Sequence, residues 1–210
     1  MGQRTLTIGR PPRTLAACLE LPDGTPHAGA IVCHPHPQYG GDMENELVVR
    51  LARALGDAGF ATLRFDFRGV DASGGQHDRG RGEVDDVRAA TALVRERLGV
   101  PAVAVVGYSF GSLMGMQAAA ADPTGVTGVV AIGPPVRMVG LDFLARCRVP
   151  VAFVVGDRDQ FCPIATLETT RARFAPASTQ TIIPGADHFF GAQLTPLAAR
   201  VVELVAAFPC

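Results

Sequence analysis

Gly107-Tyr108-Ser109-Phe110-Gly111 follows directly on Val103-Ala104-Val105-Val106 and leads directly into Ser112-Leu113-Met114-Gly115-Met116-Gln117-Ala118-Ala119-Ala120. The run before it reads as a buried strand and the run after it as a helix. G-x-S-x-G in that context sets its serine at the apex of a strained strand-to-helix elbow. Gly107 and Gly111 fit the same reading, because a sharp turn brings the two backbones close and leaves little room for a Cβ. A serine placed there projects its hydroxyl from the end of a sheet, with a helix N-terminus beneath it.

Working outward from the elbow, strands and helices alternate. Residues 30–33 and 61–66 read as strands. Between them, residues 46–58 carry Leu47, Val48, Leu51, Ala54 and Leu55 on one helical face, with Gly59 as a stop. Residues 83–98 are amphipathic, with Val84, Val87, Thr91, Val94 and Leu98 at helical spacing. Beyond the elbow come strands at 126–132 and 150–155, a short helix at 167–174, a strand at 180–183 and a closing helix at 197–208. At the front, 5–8 and 15–21 alternate and are separated by Pro11-Pro12, which predicts two antiparallel strands, with Pro22-Asp23-Gly24 as the turn that follows. Apolar strands interleaved with helices predict an α/β fold with a mostly parallel sheet covered on both faces. The 210 residues are read as a single domain, 1–210, with no repeat or linker.

Bulk composition excludes several function classes. A hydrophobic share of 48% and a net charge of −1 describe an ordinary folded chain with no electrostatic reason to bind nucleic acid or an anionic membrane. All 19 basic residues are arginine, so Schiff-base lysines, P-loop lysines and Ser–Lys dyads are impossible. Five scattered cysteines (Cys18, Cys33, Cys147, Cys162, Cys210) form no C-x-x-C, and the N-terminal residues lack an apolar signal core. Both point to a reducing, cytoplasmic location. A nucleophilic Cys33 or Cys162 is set aside, since free cysteines usually behave as small core residues.

A serine hydroxyl needs a base to take its proton, and the base needs an acid to hold its tautomer. Where a G-x-S-x-G serine leads, the acid and then the histidine follow it in the chain. Of five histidines only His188 follows Ser109, in the loop Pro184-Gly185-Ala186-Asp187-His188 after the last strand. The strand at 150–155 ends in Gly156-Asp157-Arg158-Asp159, which offers two carboxylates. Asp159 is favoured as the acid, because Asp157 sits hard against the strand end, where it can organise the turn. Two backbone donors are needed for an oxyanion. Phe110 N–H follows the nucleophile. In His34-Pro35-His36-Pro37-Gln38-Tyr39-Gly40-Gly41 the prolines have no N–H, which leaves His36 as the sole donor of its tripeptide. His34 and His36 could instead form a metal pair, but no further ligands stand at suitable spacing, so no metal and no cofactor is expected.

With these residues placed, the chain resembles the α/β-hydrolase superfamily, and more narrowly the small bacterial dienelactone-hydrolase-like serine hydrolases. The segments that carry the resemblance are His34 to Gly41, Gly59-Phe60-Ala61-Thr62-Leu63-Arg64-Phe65-Asp66-Phe67-Arg68-Gly69-Val70, the elbow, and the Asp159 and His188 loops. The resemblance implies a lidless carboxylesterase. Dienelactone hydrolases proper carry a cysteine where this chain has Ser109, and a glycine is usual at Asp71. Only residues 133–149 separate the strand at 126–132 from the next, enough for a loop and a short helix near 141–146 but not for a cap domain. An open site suits a soluble small-molecule ester of small or medium acyl chain. Tyr39, Tyr108, Phe161 and Phe189 are candidates to line it, with Met138 and Phe110 beside them. Thioesterase, amidase or peptidase action uses the same groups, and a non-catalytic binding module on the same fold is the rival from another class. Oligomeric state is not legible.

Overall fold

Along each central strand, side chains divide alternately between two apolar layers. Ile31 and Cys33, Val103 and Val105, Val129 and Ala131, and Phe153 and Val155 enter one layer. Ala30 and Val32, Ala104, Val106 and Tyr108, Val130 and Ile132, and Ala152 and Val154 enter the other. This two-residue period, with both faces apolar, is what a strand buried between helices requires. The computed structural model describes residues 2–10, 13–175 and 177–209. Pro11 and Pro12, expected to separate the first two strands, lie outside the described residues, as does Cys210.

The strands are β1 (Gly2–Arg10), β2 (Arg13–Leu21), β3 (Ala28–Cys33), β4 (Phe60–Phe65), β5 (Val103–Tyr108), β6 (Val126–Ile132), β7 (Val151–Gly156) and β8 (Thr179–Ile183). They form one sheet in the order β1-β2-β4-β3-β5-β6-β7-β8. β1 and β2 pair antiparallel, β2 pairs antiparallel with β4, and β3 to β8 run parallel. The helices are α1 (Glu46–Asp57), α2 (Arg81–Leu98), α3 (Phe110–Ala121), α4 (Ile164–Phe174) and α5 (Leu194–Ala206). Leu47, Val48 and Leu51 of α1 and Leu197, Val201 and Leu204 of α5 join one layer. Val87 and Val94 of α2, Leu113 and Met116 of α3, and Leu167 of α4 join the other.

The expected doubly covered, mostly parallel sheet is therefore present. Differences from the sequence reading are confined to ends. β5 extends to Tyr108, two residues beyond the apolar run, and α3 starts at Phe110, so strand and helix are separated by Ser109 alone. Between β6 and β7 the only helical piece among the described residues is a 3-10 turn, Asp142–Arg146. Among the described residues no cap domain stands over the carboxyl end of the sheet. No helix is long and apolar enough to cross a membrane among the described residues.

Candidate active site

Ser109 adopts φ 53° and ψ −114°, a combination that non-glycine residues avoid. Two glycines make the turn sterically possible. A Cβ on Gly107 would collide with the backbone of Gly111 and Ser112. One on Gly111 would collide with the carbonyls of Cys33 and His34, at the end of β3. The elbow thus presses α3 against the strand that leads into the His34–Gly41 loop. Ser112 Oγ donates to the Ser109 carbonyl at 2.5 Å and helps hold the turn.

Ser109 Oγ lies 3.0 Å from His188 Nε2, and His188 Nδ1 lies 2.9 Å from Asp159 Oδ2. An ionised carboxylate only accepts, so Nδ1 carries the proton and Nε2 presents its lone pair to the serine. Asp159 is 4% exposed, and its other oxygen accepts from Phe161 N–H at 2.8 Å and Cys162 N–H at 3.0 Å. These donors hold the carboxyl group in place, with its other oxygen aimed at the imidazole. Gly133, after β6, packs under the pair: a Cβ there would stand 3.1 Å from Asp159 Oδ2 and 3.3 Å from the His188 ring. Sequence reasoning passed over this glycine. Asp157 is exposed and turned away, and its Oδ1 accepts from Gly185 N–H at 2.7 Å. It ties the β7 turn to the loop after β8, a longer-range link than the local turn bonds expected of it.

On the other side of the serine lies the His34–Gly41 loop. His36 is half-buried, and its carbonyl accepts from the N–H groups of Tyr39 and Gly41. Its own N–H is not used in that turn network. Phe110 is the first residue of α3, where backbone N–H groups have no intrahelical acceptor. The rings of His36 and Phe110 pack together, 4.8 Å between centroids.

His34, whose role the sequence left open, is fully buried. Its Nδ1 donates to the Pro35 carbonyl at 2.7 Å and its Nε2 accepts from Phe67 N–H at 3.0 Å. Burial pushes its pKa down to about 4, against the raising effect of the Pro35 bond. With both nitrogens engaged, His34 fastens the ends of β3 and β4 together and offers nothing to a metal. Asp71, where a glycine is usual, has φ 45°, the left-handed backbone that glycine adopts freely.

The proposed lining residues separate. Tyr39, Phe189 and Met138 are 84%, 63% and 69% exposed, in the loops that follow β3, β8 and β6 at the carboxyl end of the sheet. Phe161 is half-buried, its ring 4.7 Å from that of His188, and the Phe189 ring is 5.7 Å away on the same histidine. Tyr108 is a correction. It is 4% exposed and its hydroxyl donates to the His188 carbonyl at 3.1 Å, so it supports the histidine loop from inside. Its even-numbered register in β5 points it into the α1/α5 layer with Phe190.

The family model for the alpha/beta hydrolase fold matches residues 31–146, more than half of the chain. The chain belongs to this family. Among solved structures similar to this chain, an alpha-beta serine hydrolase homologue from Coxiella burnetii is 30% identical, with TM-score 0.89 and 98% of each chain covered. A serine hydrolase without lid from Xanthomonas campestris is also 30% identical, with TM-score 0.85, covering 99% of this chain and 97% of that one. An uncharacterized protein of Rickettsia prowazekii is 35% identical over 170 residues, 77% of this chain and 71% of the relative. The alpha/beta serine hydrolase fold supports hydrolase activity. Among the described residues, cavities of about 390 and 150 Å³ lie away from Ser109: one is bordered by α2 and the end of α3, the other by His27, Phe60 and Phe208 at the opposite end of the sheet.

Proposed function

We propose that the protein cleaves carboxylic esters of small or medium acyl chain through an acyl-enzyme on Ser109. One observation carries the reading: a strained serine hydroxyl stands 3.0 Å from an imidazole nitrogen whose partner nitrogen is held 2.9 Å from a buried carboxylate. Ser109 Oγ attacks the ester carbonyl carbon while His188 Nε2 accepts its proton. Asp159 stabilises the imidazolium so formed. The N–H groups of His36 and Phe110, with the N-terminus of α3 behind the latter, receive the negative charge on the carbonyl oxygen. The carbon–alkoxy bond breaks, and the leaving oxygen takes the proton from Nε2. Water then attacks the acyl-enzyme, passing its proton to His188, and Oγ leaves with that proton as the acid departs.

An open rim with Tyr39, Phe161 and Phe189 around it suits an apolar, soluble ester and needs no interfacial activation. A panel of p-nitrophenyl esters of increasing acyl length, set beside an acyl thioester and an anilide, tests the assignment. The expected result is turnover of short and medium esters, with stoichiometric labelling of Ser109 by a fluorophosphonate. Preference for the thioester or anilide would move the reading to those classes. A folded protein that is inert and unlabelled would make it a binding module.

A further inference from the structure

Two main-chain donors from separate elements must converge on one oxygen, and small misplacements of such groups are expensive in rate. Phe110 belongs to α3, and His36 to the loop after β3. One side chain touches both rings. His77 lies 5.1 Å from the His36 ring and 5.7 Å from the Phe110 ring, centroid to centroid. It comes from a third place, the segment that leads into α2.

His77 is itself held from below. Its Nδ1 lies 2.7 Å from Glu83 Oε1, a carboxylate in the first turn of α2 that is fully buried. The same carboxylate accepts from Asp78 N–H at 2.8 Å and Gly80 N–H at 2.9 Å. A buried carboxylate with several donors has little freedom to reorient, because releasing any one of them leaves a desolvated charge less well compensated. Glu83 thus stands as a fixed wall beside the His77 ring at the start of α2, in close contact with Nδ1 but not hydrogen-bonded to it. That start is secured again by Arg68, whose guanidinium makes a forked contact with Asp86 at 2.7 to 3.1 Å.

We infer that His77, packed between the His36 and Phe110 rings and backed by Glu83, is a positioning residue that sets the spacing between the His36 and Phe110 amides. The inference rests on the ester-hydrolase reading above. His77 touches neither the bond broken nor the proton moved. It acts through the two rings whose main chains would receive the oxyanion, so its effect belongs to the transition state and not to ground-state binding. Glu83 caps the start of α2 by accepting from the N–H of Gly80. The structure gives it a second task, linking α2 to the elbow.

The test compares His77→Ala and His77→Phe with wild type, using the p-nitrophenyl ester that wild type turns over best. Thermal unfolding checks each variant's fold. His77→Ala is expected to lower kcat about ten- to hundredfold with KM within about threefold of wild type. Affinity for a trifluoromethyl ketone, which binds as a tetrahedral oxyanion, should fall by the same factor as kcat/KM. His77→Phe restores a ring against His36 and Phe110 and should recover most of the lost kcat. If the alanine variant does not fold, His77→Leu, which keeps the bulk without the ring, carries the same expectation. An active wild type with unchanged kcat in the folded truncation overturns the inference, as does a loss confined to KM. A wild type that neither hydrolyses esters nor reacts with fluorophosphonate overturns the hydrolase reading itself, and the inference falls with it.

Discussion

The loops after β3 and β8 each carry a histidine inward at the same end of the sheet, and the two rings meet different partners. His34 is closed off by main chain on both nitrogens, donating to the Pro35 carbonyl and accepting from Phe67 N–H. His188 has a carboxylate on one nitrogen and a serine hydroxyl on the other. Burial hardly separates them, at 0% and 6% exposed. What separates them is whether the partner can give up a proton. An amide N–H does not surrender its hydrogen at neutral pH, so His34 can only brace the fold. A hydroxyl can, and His188 Nε2 is the ring nitrogen that faces one.

The sharpest way to break this contrast is to remove the hydroxyl. Ser109→Ala is expected to reduce kcat by ~10⁶, since a triad nucleophile removed alone has an effect of that size. His34→Gln, measured in the same steady-state assay, should reduce kcat far less while lowering the unfolding temperature. Comparable losses in kcat from both would erase the distinction between brace and base.

A second break concerns the carboxylate behind His188. Asp159→Asn should lower kcat by about 10⁴, because an amide at that place favours the wrong imidazole tautomer. Asp157→Asn keeps an oxygen that can accept from Gly185 N–H and removes only an exposed charge, so it should change stability by less than about 1 kcal/mol with little change in kcat. If the order of the two effects on kcat were inverted, the acid role would pass to Asp157.

Much of this contrast was legible in the chain. Alternation of apolar strands with amphipathic helices predicts the covered sheet, and the G-x-S-x-G context places Ser109 between β5 and α3, where it stands. Chain order singles out His188, the ring that the structure sets 3.0 Å from Ser109 Oγ. The choice between Asp157 and Asp159 follows from turn chemistry, and the structure sets Asp159 against the imidazole. Three features were not legible because each depends on contacts distant in sequence. Tyr108 points inward because the strand continues two residues past its apolar run, which sets its face. His34 is closed off at Nε2 by Phe67 N–H, an amide 33 residues away. The His77–Glu83 pair is local in sequence, yet its contact with Phe110 and His36 arises only when α2, α3 and the β3 loop are assembled.

The acid-side pH dependence of stability sharpens the comparison further. His34 has its folded-state pKa depressed from 6.5 to about 4 by burial. The unfolded chain therefore takes up this proton near pH 6.5 while the folded chain refuses it until about pH 4. Stability from His34 is fully present above pH 6.5 and falls as pH drops through that window, by about 3 kcal/mol in all. Asp66, buried beside the same strand ends, acts oppositely. Burial raises its carboxyl from 3.8 to about 6, with Met43 N–H opposing and the charges of Asp71, Asp42 and Glu44 adding. The folded chain then binds this proton first, so its contribution grows as pH falls from about 6 toward 3.8. Denaturant unfolding between pH 7 and 4 should show a steeper acid loss in Asp66→Asn and a shallower one in His34→Gln. Parallel curves for the two variants would mean that neither group titrates as its surroundings dictate.

The smallest expected effect lies at Tyr108. Its hydroxyl donates to the His188 carbonyl at 3.1 Å, and burial with the nearby charges of Asp159 and Asp187 pushes its ionisation upward, so it remains a neutral donor throughout the working range. Tyr108→Phe deletes that one bond and keeps the ring against Phe190. A neutral buried hydrogen bond contributes about 1 kcal/mol, and leaving the His188 carbonyl unpaired adds to the loss. The variant should therefore unfold a few degrees lower, as about 1 kcal/mol implies for a chain of this length. Its kcat should fall only severalfold, because Asp159 still holds the ring at Nδ1. A much larger loss would mean that the loop, rather than the carboxylate, sets the orientation of His188. A stability loss with kcat untouched would assign Tyr108 to the core alone and leave Asp159 as the group that distinguishes His188 from His34.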